Sequence, residues 1–178
     1  PALEFSSREG QRLFQEALAD SSMGGFFRLI EQFHTQSEPA YCGLGTLTMV
    51  LNALNIDPGK TWKGPWRWFH EGMLDCCEPL DEVKAKGITW SKWLCLARCN
   101  GLLVQAHRAD EADWSEELFR QSVEDVARQR IGCAAEEGTD GMKALVVSYS
   151  RKQFNQTGDG HYSPLGGYHR ATDQVLLL

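Results

Sequence analysis

Gln36-Ser37-Glu38-Pro39-Ala40-Tyr41-Cys42-Gly43-Leu44-Gly45-Thr46, running on through Leu47 to Leu54, is the segment from which the architecture can be worked out. Pro39 fixes its own φ and keeps Glu38 extended, so the chain reaches Cys42 along an irregular path and then turns into a helix. Leu44, Leu47, Leu51 and Leu54 repeat at steps of three and four, and Asn55-Ile56-Asp57-Pro58-Gly59 stops the run. The spacing predicts a buried helix with Cys42 in its first turn. There the unpaired amides and the positive end of the helix dipole favour a thiolate, which is a nucleophile. Gly43 and Gly45 leave room for a substrate backbone, and the side-chain amide of Gln36 is a donor within reach of an oxyanion. The same residues also read as a small buried cysteine on an apolar helix, the ordinary surroundings of such a residue.

On either side, helical spacing dominates the first two thirds of the chain. Leu13, Phe14, Ala17 and Leu18 form one stripe, and Phe26, Phe27, Ile30 and Phe33 form another, with Asp20-Ser21-Ser22 and Gly24-Gly25 between them. Three tryptophans and a phenylalanine crowd the segment from Trp62 to Cys77, where they read as core or groove wall. Further helices are expected over Leu80 to Lys86, Ser91 to Cys99 and Trp114 to Arg130. Strands are expected over Leu102 to Ala106, Lys143 to Tyr149, His161 to Tyr168 and Gln174 to Leu178, with Gly132 to Gly141 a loop. Helices first and strands later imply an α+β domain over residues 1–178, with no repeat or linker that would divide it.

The composition narrows the function classes. Hydrophobic residues are 42% and charged residues 24% of 178, the profile of a globular protein. No apolar run approaches the roughly 18 residues of a membrane helix, and no basic-then-apolar leader opens the chain, so neither a membrane span nor export is expected. A net charge of −6 without a basic stripe argues against nucleic acid. Six cysteines are sparse for a disulfide scaffold, and the expectation is free thiols in a cytoplasmic protein. The chain opens on Pro1 and stops inside Val175-Leu176-Leu177-Leu178, so both ends read as cut, and an unfinished sheet edge suggests a homodimer.

A nucleophilic cysteine needs a base, and five histidines compete. His34 falls on a helix close in sequence, His70 inside the aromatic segment, His107 at the end of a strand and His169 just after one; each reads as structural or surface. His161 differs, because Thr157-Gly158-Asp159-Gly160 forms a turn that presents its ring at the rim of a cleft. It lies about 120 residues beyond Cys42, close to the ~130–150 that separates nucleophile and base in papain-like proteases.

Ser37 to Phe69 (SEPAYCGLGTLTMVLNALNIDPGKTWKGPWRWF), Met73 to Leu80 (MLDCCEPL) and Gln156 to His169 (QTGDGHYSPLGGYH) resemble, in order, the catalytic domain of the phytochelatin synthases. The resemblance implies a papain-like cysteine-peptidase fold, helical first and with an antiparallel sheet second, its C-terminal strands truncated at Leu178. It implies transfer of γ-Glu-Cys from one glutathione to another, or to a growing phytochelatin oligomer, in heavy-metal detoxification. Cys42 is then the nucleophile, His161 the base and acid, and Gln36 the completion of the oxyanion hole. The family's third catalytic residue is an Asp just past the position of Leu178; Asp173 is the one acid near by and matches no family position. Gly160 and Tyr162 flank His161 and are expected to line the first substrate site, with Arg151 a candidate for docking the second.

Cys76, Cys77, Cys95 and Cys99 match family cysteines associated with metal stimulation. Cys95 and Cys99 are four apart on an expected helix and face one way, whereas adjacent Cys76 and Cys77 are poorly spaced for zinc, so metal ligands and inert core thiols both remain open. Cys133 has no assigned role. No organic cofactor is expected; cadmium, zinc or copper enter as activators or as glutathione thiolate complexes. Two other readings stand beside transfer: a peptidase that removes Gly from glutathione or its S-conjugates, and a non-catalytic metal-thiolate binding module.

Overall fold

A computed structural model describes residues 2–129 and 141–178; Cys133 lies outside them. Six α-helices and three strands are found among the described residues: α1 (Arg8–Ala19), α2 (Phe26–Ile30), α3 (Cys42–Ala53), α4 (Leu80–Lys86), α5 (Trp90–Cys99), α6 (Glu116–Ala127), then β1 (Val146–Tyr149), β2 (His161–His169) and β3 (Gln174–Leu177). The α+β order read from the sequence holds. Local chemistry sets the ends: the Ser7 hydroxyl accepts from the Gly10 amide at the start of α1, and Ser115 does the same for Leu118 at the start of α6.

The core is organised around α3, in which every residue from Gly43 to Ala53 is buried. A helix apolar all round must be wrapped on all sides. Leu44, Leu47 and Leu51 face Phe69, Leu74, Val83, Trp93 and Leu96, while Val50 and Ala53 face Leu29 of α2. β2 is the central strand of an antiparallel sheet ordered β1-β2-β3, with Tyr149 opposite His161 and Gln174 opposite His169. Val123 and Ala127 of α6 close on Leu165 and Tyr168 of β2. No helix of the described residues is long and apolar enough to cross a membrane.

Three expectations need correction. Leu102 and Val104 pack on the core while Leu103 points out, yet 102–106 forms no strand and nothing among the described residues pairs with it as a ladder. The period of two was right; a ladder partner was lacking. The second aromatic stripe forms only one helical turn and a half, and Phe27, Ile30 and Phe33 are exposed. Trp62, Trp66 and Trp68 are exposed as well, on a loop pinched by the Trp62 amide donating to the Trp66 carbonyl at 2.7 Å. The tryptophans that fill the core are on α5.

Replacing Leu47 by Ala should cost about 2–5 kcal/mol, because the site is fully buried and ringed by elements that cannot all collapse inward. A urea midpoint giving a loss below about 1 kcal/mol would mean that α3 is not the axis of the core.

Candidate active site

The site is built where the N-terminus of α3 meets the first residue of β2. Cys42 opens α3, as its position after Pro39 predicts, and is the only free cysteine among the described residues. Tyr41 precedes it without a side-chain cap, and its carbonyl accepts from the Gly45 amide at 2.7 Å. Gly43 serves packing, not substrate access: a methyl there would lie 2.6 Å from Ile88 Cγ2 and 3.1 Å from Trp93, whose indole N–H donates to the Gly43 carbonyl at 2.9 Å. A methyl on Gly45 would meet Glu71 Oε1 at 3.2 Å. Both glycines admit neighbouring protein groups, which corrects the expectation of room for a substrate backbone.

β2 is held against this turn by a single buried bond, from the Thr46 hydroxyl to the Tyr162 carbonyl at 3.0 Å. The Tyr162 ring stacks on Trp93 at 5.5 Å between centroids and is 6% exposed, so it belongs to the core and offers a substrate little surface. Burial above all, with the charge a Cys42 thiolate would carry adding to it, pushes the Tyr162 hydroxyl upward in pKa. Successive strand residues point to opposite faces, so His161 projects away from that stack. It is the one residue of β2 that is not fully buried. Gly158 and Gly160 before it take φ of 97° and 79°, a left-handed path that suits glycine and turns the chain into the strand.

The His161 ring sits edge-on to Tyr149, with centroids 5.7 Å apart. Its pKa is lowered, first by burial and then by the positive charge of Arg151. Arg151 starts the short turn Arg151–Phe154 between β1 and β2 and donates from Nε to Gln156 at 3.0 Å. The structure thus sets the first turn of α3 beside Tyr162 at the start of β2, with Gly160 and the turn that carries Arg151 leading into that strand. Gln36 lies on the approach to α3, where its side-chain amide donates to the carbonyls of Glu38 and Pro39 at 2.8 and 2.9 Å. Its donors first shape the path into Cys42.

Asp173 is elsewhere. It lies past the far end of β2, about 26 Å along an extended strand from His161, and Arg120 and the Tyr168 hydroxyl engage it. The Arg120 guanidinium, then that hydroxyl, hold its carboxyl down to about 2. His169, buried at the same end, pairs with Glu16 at 2.9 Å and Thr172 at 2.7 Å, a structural role.

The four clustered cysteines do come together, but as Cys76–Cys99 and Cys77–Cys95 disulfides, which corrects the expectation of free thiols. The adjacent pair faces two residues one turn apart on α5, with Cα separations of 6.7 and 6.1 Å, inside disulfide reach. Bonded in this way they offer no thiolate to a metal. If they were reduced, the sulfurs of Cys76, Cys77 and Cys99, which lie within 4.8 Å of one another, would be spaced for a soft ion.

Sequence reading gave no role to three residues near the first turn of α3. Glu71, in the short turn Glu71–Met73, is buried and accepts from both the amide and the hydroxyl of Ser37, and His34 Nε2 lies 3.7 Å from its other oxygen. The only signal in the sequence was an acid set between Phe69 and Met73-Leu74.

A depressed histidine has a definite sign. His161 resists protonation in the folded chain, so the stability it contributes is present above its unfolded pKa and is lost as pH falls through the folded value. Removing the charge in Arg151→Gln should move the His161 NMR titration to higher pH. An unchanged or lower midpoint would show that Arg151 does not reach the ring.

With this geometry in view, comparison with known proteins is direct. The sequence model of the phytochelatin synthase family matches residues 1–178. Over all 178 residues the chain is 54% identical to glutathione gamma-glutamylcysteinyltransferase 3 of Lotus japonicus, covering 34% of that protein. It is 50% identical to glutathione gamma-glutamylcysteinyltransferase 1 of Arabidopsis thaliana, again over its whole length and 34% of the relative. Over 99% of the chain it is 42% identical to glutathione gamma-glutamylcysteinyltransferase of Schizosaccharomyces pombe (strain 972 / ATCC 24843), covering 39% of it. The chain therefore spans about a third of the length of these curated relatives. A family match over the full length, with relatives at 42–54% identity, places the chain in the phytochelatin synthase family.

Proposed function

We propose that this chain carries the acyl-transfer centre of a γ-glutamylcysteinyltransferase, with the papain-like arrangement of a cysteine at a helix start and a histidine at a strand start. The observation that carries the reading is the placement of Cys42 as first residue of a buried helix whose next turn is tied, through Thr46, to the residue following His161. Burial and Arg151 keep His161 neutral at neutral pH, the form that accepts a proton.

Cys42 sulfur attacks the carbonyl of the Cys–Gly bond of glutathione while His161 takes the thiol proton. The α3 amides, with one Gln36 N–H released from its loop carbonyls, receive the oxyanion. His161 returns the proton to the nitrogen of the departing glycine, and a γ-Glu-Cys thioester remains on Cys42. In the second half the amine of another glutathione, or of a growing phytochelatin, gives its proton to His161 and attacks the thioester. The product gains one γ-Glu-Cys unit and the thiol is restored. Arg151 offers a cation for a carboxylate of the incoming thiol peptide, and pairing with one would relieve its depressing effect on His161. Cadmium, zinc or copper belong to this scheme as glutathione thiolate complexes, that is as substrate, in a cytoplasmic setting.

Incubation with glutathione, with and without cadmium, followed by mass spectrometry, separates the readings. Products of two or more γ-Glu-Cys units are expected, together with a Cys42 thioester. Cys42→Ser should lower turnover by about a thousandfold or more. Release of γ-Glu-Cys alone would make the chain a peptidase, and metal binding untouched by Cys42→Ser without any turnover would make it a binding module.

A further inference from the structure

Glu71 is 7% exposed, and its carboxylate lies between the segment leading to Cys42 and the first turn of α3. Oε2 accepts from the Ser37 amide at 2.9 Å and also from the Ser37 hydroxyl. Oε1 is buried without a hydrogen-bond partner, as is His34 Nε2 at 3.7 Å. A methyl on Gly45 would meet that Oε1 at 3.2 Å and the Gln36 Cβ at 3.6 Å, so Glu71, Gln36 and the first turn of α3 are in mutual contact range.

The placement of Glu71 is itself fixed. Two residues earlier, Phe69 exchanges both backbone hydrogen bonds with the Asn52 side chain at 3.0 Å each, which ties this stretch to the C-terminal half of α3. A buried carboxylate with one unpartnered oxygen is expensive, and no packing need accounts for an acid where an apolar residue would fill the space. What the acid does is hold Ser37, the neighbour of Gln36.

We propose that Glu71 is a positioning residue for the oxyanion donor: by holding both donors of Ser37 it sets the 36–39 segment so that Gln36 lies beside the N-terminus of α3. The idea rests on the transferase reading of Gln36 given above. The Lys84–Glu38 ion pair at 2.6 Å holds the same segment from its exposed side, where such pairs contribute little. Geometry, not the charge of Glu71, carries the effect: a glutamine in its place can put a carbonyl oxygen against Ser37, and an aspartate, one methylene shorter, cannot reach.

Single-turnover glycine release from glutathione, paired with iodoacetamide alkylation of Cys42, tests this. Alkylation is a displacement that develops no oxyanion, so it reports the thiol and the fold without the donor. Gln36→Ala should slow acylation by about a hundredfold, the usual effect of losing an oxyanion donor. Glu71→Ala and Glu71→Asp should slow it by about ten- to a hundredfold, in kcat more than in KM, with alkylation unchanged. Glu71→Gln should restore it to within about threefold of the parent chain. Should Glu71→Ala fail to fold, the Asp and Gln variants decide. Parent-like acylation in Glu71→Asp, or a Glu71→Gln variant as slow as Glu71→Asp, overturns the proposal and leaves the transferase reading intact. Parent-like acylation in Gln36→Ala overturns the oxyanion reading and this proposal with it.

Discussion

Burial of α3 on every side is the constraint from which the rest follows. A helix with no solvated face cannot be an outer layer, so other elements must close over it, and they arrive from both directions of the chain: α2 from before it, the 69–97 stretch from after it, β2 from the far end. The helix N-terminus then faces whatever β2 presents at its start. Because the Thr46 hydroxyl is buried and needs an acceptor, and the Tyr162 carbonyl at the strand start needs a donor, satisfying the pair sets how far the strand begins from Cys42. Packing fixes the axis and one polar contact fixes the register along it.

The contacts around α3 repeat that device. Trp93 fills space and also donates to the Gly43 carbonyl, Asn52 clamps Phe69, and Glu71 clamps Ser37. Asn52 and Glu71 are spent on backbone groups of irregular segments, where no helix or sheet partner exists, and Trp93 on the first turn of α3. By contrast the ion pairs among Arg12, Glu9 and Glu16, or around Arg120, are exposed and contribute little to holding the molecule together.

This division explains what could be read from the sequence. Leu44, Leu47, Leu51 and Leu54 carry a period that announces α3, and Pro39 and the glycines around Asp159 announce the approaches to Cys42 and His161, because those signals are local. Glu71 carries only its place as an acid among apolar residues, and Ser37 nothing, since their pairing joins residues 34 apart and depends on tertiary packing. The glycines misled for the same reason: Gly43 and Gly45 look like space for a ligand until Ile88, Trp93 and Glu71 are seen to fill it. β2 was legible as a strand but not as the central one, because Pro164 in its middle removes a ladder donor and the pairing is irregular between Leu165 and Gly167. The disulfide partners were hidden likewise, since only the fold of 76–99 shows which of four cysteines face each other.

The two halves of the proposed reaction draw on different parts of this frame. Acylation depends on α3, on the 36–39 segment and on the anchors behind them, all of which are bolted to the main core. Transfer to an incoming amine would depend on the turn after β1 that carries Arg151, where the flanking Phe154, Gln156 and Asp159 are exposed and Lys152 pairs with Asp159 at the surface. In the proposed scheme a thioester formed at the buried half would wait on docking at the exposed one, with water as the competitor. In such a design changes in the core should alter how fast glutathione is opened, and changes in the 151–160 segment should alter what the opened half is given to. His161 belongs to both: burial first and then Arg151 lower its pKa, so in the proposed scheme a carboxylate docked on Arg151 would be felt at the base in the step where the amine must lose its proton.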